Sequence, residues 1–152
     1  MKISFVGHAV VSSVDDIKEI VKEQVRYNIT NTDSAICYLG GYGDFDELCA
    51  VACRELKAEY PCIELIYVAP YITLREQAKI KELQKEGLCD TSVYPPIEKT
   101  PLKFAISKRN EWMVRNADLV IAYVKRSWGG AYKTIKTAEK MRKKIINVGD
   151  LI

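Results

Sequence analysis

The sequence lacks the features that identify membrane, secreted and disulfide-rich proteins. No apolar run in its 152 residues approaches the roughly 20 residues that cross a membrane. The opening residues, 1–7, have neither the long apolar stretch nor the small-residue cleavage site of a secretory signal. Five cysteines, an odd number with no C-x-x-C spacing, argue against a disulfide framework. We therefore expect a cytoplasmic protein with no membrane partner.

Metal ligands and net charge are also scarce. His8 is the only histidine and lies far in sequence from Cys49 and Cys53, whose helical spacing among apolar residues is typical of small core side chains. The formal net charge of +3 is too small to indicate nucleic-acid binding, and the basic residues of the last third fit a solvated helix face. We expect no metal, no cofactor and no nucleic-acid partner.

Apolar runs alternate with helical patterns along the whole chain. Such alternation predicts a parallel sheet covered by helices on both faces. The expected strands are residues 2–6, 34–39, 63–69, 118–124 and 144–148, with a short additional strand near 92–94. We predict an α/β fold, a Rossmann-like three-layer sandwich with a mainly parallel sheet of about five strands, and a single domain over residues 1–152 without a linker or a repeat.

A glycine-rich turn follows the second strand. Gly40, Gly41 and Gly43 leave the backbone free to take positive φ, and the next helix directs its unpaired N–H groups to the same place. This arrangement is typical of a pocket for a small polar ligand. The carboxylates that follow allow a second interpretation, a capping box in which Asp44 caps the helix and Glu47 reaches back to it.

A second glycine pair opens the last helix. Gly129 and Gly130 follow an apolar strand and have basic neighbours, which suits an anion. Gly7 and His8 end the first strand, so all three turns are expected at one edge of the sheet.

Two polar residues border the apolar face of the penultimate helix. Arg109 and Asn110 lie on stripes that they share with apolar residues. Either Arg109 extends along the rim of the core to reach solvent, or its guanidinium binds a phosphate or carboxylate of a ligand.

These motifs resemble a known family along nearly the whole chain and in the same order. Residues 39–47 resemble the P-G-G-x-G-T-x-x-E signature of LOG-type proteins, the cytokinin-activating phosphoribohydrolases. Residues 108–114 and 117–122, the last glycine pair and the end of the first strand are more similar to the YpsA-like branch of the SLOG superfamily. The resemblance implies a homodimer and a nucleotide site in which Glu47 and Arg109 serve cleavage of an N-glycosidic bond.

Two departures from the signature shape the functional hypothesis. The family's proline and threonine are Leu39 and Asp44 here, and a carboxylate repels a phosphate. We therefore expect a nucleotide or nucleotide-derived small molecule to bind with its phosphate at the last glycine pair and its sugar facing Glu47. Its base would stack on Tyr42 or Trp128.

Two further hypotheses remain. The chain could be a nucleoside 5′-monophosphate phosphoribohydrolase that uses Glu47 as general base or electrostatic stabiliser. The other alternative is a structural or partner-binding role.

Overall fold

One sheet of six parallel strands forms the centre of the protein. The computed structural model describes all residues, 1–152, and the strands lie side by side in the order β4-β3-β2-β1-β5-β6. The strand bounds are β1 Lys2–Gly7, β2 Ala35–Leu39, β3 Ile63–Val68, β4 Thr91–Val93, β5 Leu119–Tyr123 and β6 Lys144–Asn147. The chain builds the sheet outward from β1 to β4 and then restarts on the other side of β1. Such a reversal places a crevice at the carboxyl ends of β1 and β5.

Five helices cover the two faces of the sheet. Their bounds are α1 Val14–Ile29, α2 Asp44–Lys57, α3 Leu74–Lys85, α4 Ala105–Arg115 and α5 Gly130–Lys140. Helices α1 and α2 pack together on the face that Ile3 and Phe5 present, whereas α4 and α5 pack together on the opposite face. None of these helices combines the length and the apolar character that crossing a membrane requires.

The period-two alternation of the central strand explains the layering. Ile3 and Phe5 are buried on the α1 and α2 side, while Val6 is buried on the α4 and α5 side. Ser4, also on the α4 side, is fully buried, and its hydroxyl donates to the carbonyl oxygen of Met113 at 2.7 Å. The buried hydroxyl is therefore satisfied, and it fixes α4 against the sheet.

The cysteines are all unpaired and mostly internal. Cys37, Cys49, Cys53 and Cys89 are buried, and Cys62 is partly exposed. Burial raises the pKa of the Cys49 thiol well above its usual range and that of Cys89 to about 11. These thiols behave as small core side chains, as the sequence pattern predicts.

The α/β fold is confirmed, with two refinements. The short segment near residue 92 is a true edge strand, β4, so the sheet has six strands rather than about five. The helix expected from residue 102 begins as a 3-10 turn, Leu102–Phe104, and becomes α-helical at Ala105. Ser13 occupies the N-cap position of α1, but its side chain makes no capping hydrogen bond.

Gly7 is required by packing at the end of β1. A Cβ at this position would lie 2.3 Å from Cδ2 of Phe45, whose ring is fully buried. We expect Gly7→Ala to lower the free energy of unfolding by about 1–3 kcal/mol, because the ring must shift within a packed core. Urea denaturation of the variant measures the loss.

Gly130→Ala is the matched control, because a Cβ at Gly130 meets no atom within 4 Å. We expect its stability to be unchanged or raised by about 0.5 kcal/mol. Equal losses in the two variants would contradict the packing explanation.

Candidate functional site

Three polar turns meet at the carboxyl edge of the sheet. They follow β1 at Gly7 and His8, β2 at residues 40–43 (the Gly41 turn), and β5 at residues 124–130 (the Trp128 turn). Because β1 separates β2 from β5, the strands that lead into the two glycine turns are two spacings apart, about 10 Å. The residues predicted from the sequence therefore share one edge of the molecule.

Arg109 fixes the Gly41 turn from the buried side of the turn. Its side chain is only 1% exposed, and Nη1 donates to the carbonyl oxygens of Gly40 at 2.9 Å and Val68 at 2.7 Å. Its Nε donates to Oδ1 of Asn110 at 2.9 Å. The guanidinium does not extend to solvent along the rim of the core. It joins the carboxyl ends of β2 and β3 by bonding their backbone.

Asp46 lies beside this guanidinium. Its Oδ2 accepts a hydrogen bond from the backbone N–H of Tyr42 at 2.9 Å. Burial raises the pKa of Asp46 to about 6, against the opposing effects of the Tyr42 N–H and the charges of Arg109 and Lys79. A carboxyl with such a pKa changes its charge under mildly acidic conditions.

Glu76 and Lys79 complete the ionic network around the turn. Glu76 is buried and accepts hydrogen bonds from the hydroxyls of Tyr67 and of Tyr42, the latter at 3.2 Å. Nζ of Lys79 donates to the carbonyl oxygen of Gly41 at 2.7 Å and lies 3.6 Å from the centroid of the Tyr42 ring. The carbonyls of Gly40 and Gly41 and the N–H and hydroxyl of Tyr42 thus all have intramolecular partners.

The capping-box interpretation of the next residues is wrong. Gly43, with φ of 93°, is the N-cap of α2. The Asp44 carboxylate accepts from the backbone N–H of Val11 at 2.9 Å, and the Asp44 N–H donates to the carbonyl oxygen of Ala9 at 2.8 Å. Glu47 is exposed and does not reach back to the helix start, so Asp44 ties the loop after β1 to α2 instead.

The Trp128 turn presents an aromatic side chain to solvent. Trp128 is 65% exposed, and the guanidinium of Arg126 lies 3.9 Å from the centroid of its ring. This is a cation–π contact, which orients the indole and leaves part of it open. Gly129 is the N-cap of α5, and Gly130 opens the helix with free space around it.

Side chains from two neighbouring strands hold the Trp128 turn. His8, after β1, accepts the backbone N–H of Lys125 on its Nε2 at 2.9 Å. Asn147, at the end of β6, accepts the N–H of Val124 at 3.1 Å and donates to its carbonyl oxygen at 2.8 Å. Burial lowers the pKa of His8, and the positive charge of Arg126 lowers it further.

A cleft of about 360 Å³ separates α4 from α5 beside this turn. Its lining combines an aromatic ring with hydroxyl and amide groups, one ammonium group and one carboxylate. The lining residues are Phe104, Ile106, Ser107, Asn110, Glu111, Gly130, Lys133, Thr134 and Thr137. The cleft therefore offers both a stacking surface and several hydrogen-bond donors.

Sequence reasoning missed several residues that shape the site. They are Asp46, Tyr67, Glu76, Lys79 and Asn147. Asn147 could have been found, because it ends a strand at the same edge. Glu76 and Lys79 come from α3, whose distance from the Gly41 turn depends on helix packing. Asp46 follows the turn on α2, and Tyr67 lies on the neighbouring strand β3.

The fold and the site define the class of protein as a Rossmann-like three-layer α/β domain with its polar turns at the carboxyl edge. No protein-family model matches the chain, and the curated proteins contain no match to its sequence. Solved structures do match. DNA processing protein A from Helicobacter pylori, described for its single-stranded DNA binding mode, superposes with a TM-score of 0.63 at 18% identity. DNA processing protein A from Streptococcus pneumoniae superposes with a TM-score of 0.65, also at 18% identity.

The matches cover most of this chain but only part of the others. Each covers 95% of this chain, and the chain spans 63% of the Helicobacter pylori protein and 48% of the Streptococcus pneumoniae protein. At this level of identity the likeness establishes the shared fold.

These comparisons contradict the predicted membership in the SLOG superfamily, because the neighbours are DNA processing proteins and not YpsA-like or LOG-type proteins. The predicted small-molecule nucleotide binding, the alternative N-glycosidic hydrolysis and the expected lack of a nucleic-acid partner are contradicted with it. The expected homodimer stays a prediction.

The glycines that suggested a ligand loop have a packing role. A Cβ on Gly41 would lie 2.5 Å from Cε1 of Tyr67, and one on Gly43 would lie 2.6 Å from Cα of Ala9. Both also have positive φ. Close packing at positive φ therefore accounts for the motif without a bound phosphate.

Removing the buried guanidinium tests its role at the edge of the sheet. We expect Arg109→Met to lower the free energy of unfolding by about 3–5 kcal/mol, because two buried carbonyls lose their hydrogen-bond donor and the nearby Asp46 carboxyl loses a compensating charge. Arg115→Met is the control. Arg115 lies on the same helix with a 60% exposed side chain, and its loss is expected to cost about 0.5 kcal/mol or less. Similar urea midpoints for the two variants would contradict this assignment.

The pKa of Asp46 gives stability a defined pH dependence. The folded protein binds this proton more tightly than the unfolded chain. The resulting stabilisation is present below about pH 3.8 and is lost as pH rises through about 6. We expect the stability of the parent protein relative to Asp46→Asn to increase by on the order of 2 kcal/mol from about pH 7 to about pH 4. Urea melts across this range measure it, and a pH-independent difference would contradict the raised pKa.

Proposed function

We propose that residues 1–152 form one domain that binds single-stranded DNA at the carboxyl edge of the sheet, with the Trp128 turn as its principal contact. The observation that carries the proposal is the exposed indole of Trp128 against the guanidinium of Arg126, at the start of α5. The single-stranded DNA binding mode described for the Helicobacter pylori neighbour supports the choice of ligand.

Base stacking supplies the first part of the interaction. Every base has a face that can stack on an exposed indole, and such a stack contributes about 1–3 kcal/mol without selecting a sequence. Arg126 occupies one side of Trp128, so a base would take the open side. Single-stranded DNA fits this surface, because the bases of a duplex are already stacked on one another.

Phosphate contacts supply the second part. The unpaired N–H groups at the start of α5, the guanidinium of Arg126 and the ammonium of Lys133 lie around Gly129 and Gly130. These groups attract an anion together. The net charge of +3 does not decide the matter, since it averages over the chain, whereas a bound strand is sensitive to the charges along its path.

The acidic Gly41 turn restricts the path of the strand. Asp44 and Glu47 follow that turn, and carboxylates repel a polyanion. The α4–α5 cleft on the other side has Lys133 and the half-exposed ring of Phe104, and its one carboxylate, Glu111, is paired with Lys108 and Arg115. We therefore place the DNA from Trp128 toward Phe104, with Asn110 facing it inside the cleft.

We keep the cytoplasm as the proposed compartment. All five cysteines are free, which is typical of proteins in reducing surroundings.

Removing the indole is the direct test. We expect Trp128→Ala to weaken binding of a fluorescent oligothymidine by about ten- to a hundredfold, because a stacked base loses its platform. Fluorescence anisotropy measures the dissociation constant. Tyr27→Ala is the control, because Tyr27 is 81% exposed on α1 and lies outside the site.

The same assay separates phosphate contacts from stacking. An Arg126→Gln, Lys133→Gln double variant should lower the slope of log affinity against log salt by about 1.4, since each phosphate contact in single-stranded DNA contributes about 0.7. The proposal fails if Trp128→Ala binds like the parent, or if duplex DNA binds as tightly as the single strand.

A further inference from the structure

His8 supports the Trp128 turn from inside the protein. It is 6% exposed, and its Nε2 accepts the backbone N–H of Lys125 at 2.9 Å. The ring packs edge-on against Tyr123, with centroids 5.7 Å apart. The other ring nitrogen, Nδ1, is buried and has no hydrogen-bond partner. His8 therefore contacts the turn from its buried side.

The hydrogen bond from Lys125 requires the neutral form of His8. Because Nε2 accepts, the single proton of the neutral ring is on Nδ1. An imidazolium would carry a proton on Nε2 as well and would place two donors, its own N–H and that of Lys125, against each other. The burial of the ring and its nearness to Arg126 add to this cost, and both lower the pKa of His8.

Four charged or titratable residues lie near His8. Tyr123 lies on β5, and Lys125 and Arg126 lie in the turn after it. On the α2 side Asp44 is nearby, with its N–H bonded to Ala9, but its carboxylate is bonded to the backbone of Val11. No carboxylate bonds to the ring, so nothing in these contacts stabilises an imidazolium.

We propose that His8 is a positioning residue that makes DNA binding depend on pH: the neutral imidazole holds Lys125, and with it Arg126 and Trp128, in the binding geometry, and protonation releases them. This inference rests on the proposed function.

The expected change of DNA affinity with pH is opposite in sign to the change that electrostatics alone would produce. Protonation adds positive charge near the DNA, which alone would tighten binding as pH falls. Loss of the His8 hydrogen bond loosens the turn that carries the stacking platform. We expect the second effect to prevail, because the rigid placement of Arg126 and Trp128 is what the site offers to a base.

Two readouts test the proposal, one with DNA and one without. Affinity for oligothymidine is expected to fall by up to about tenfold, the effect of losing one hydrogen bond, as pH is lowered from about 7.5 to well below 6.5, because the pKa of His8 is lowered from that ordinary value. Without DNA, the emission of Trp128 in a Trp112→Phe background should shift with the same midpoint, because the indole leaves its contact with Arg126.

Three variants assign the effect to His8. His8→Gln places a carbonyl oxygen that can accept from Lys125 but does not titrate, so affinity should stay high and change less than about twofold with pH. His8→Phe keeps a ring without an acceptor, and its affinity should be low at every pH. Asp46→Asn removes a carboxyl whose pKa is raised to about 6 and should keep the parent's pH profile.

The outcomes distinguish this inference from the proposed function. Binding that tightens at acidic pH, or a His8→Gln protein with the parent's profile, overturns the role of His8 and leaves DNA binding standing. An emission shift that depends on His8 in a protein that binds no DNA supports the positioning of the turn and removes the proposed function. If His8→Phe does not fold, the comparison of His8→Gln with the parent still decides.

Discussion

The carboxyl edge of the sheet depends on one buried cation. Arg109 bonds the last carbonyl of β3 and the first carbonyl after β2, and it faces the carboxyl of Asp46. A guanidinium away from water is costly unless it is fully paired, so the surrounding backbone is held to one arrangement. Arg109 thereby fixes the Gly41 turn beside the site.

The edge carries two turns of opposite charge. The Gly41 turn is followed by carboxylates, whereas the Trp128 turn is surrounded by Arg126 and Lys133. A polyanion is repelled by one turn and attracted by the other, so the charge distribution along the edge sets an orientation that the net charge of +3 does not reveal. Compositional charge thus gave a wrong expectation about nucleic acid.

The fold was predictable from the sequence because alternation and turn residues are local signals. The β4 strand has only three residues and little apolar content, so its local signal is weaker than that of the longer strands. The placement of the three polar turns at one edge of the sheet was predictable, but their bonding partners were not. Arg109 and Asp44 bond backbone groups that are remote in sequence, and the glycines at 41 and 43 fit against Tyr67 and Ala9. Such partners follow from strand register and helix packing, which no local motif records.

The distribution of cysteines makes this protein convenient for chemical labelling. Cys62 is the one cysteine with partial exposure, so a thiol reagent applied to the folded protein should attach a single probe, just before β3. Cys37, Cys49 and Cys53 lie on β2 and α2 within one core. Burial raises the pKa of Cys49, and a hydrogen bond with Cys37 together with burial raises the pKa of Cys53. Their joint exposure requires that core to open, and the rate at which they react therefore measures the opening itself.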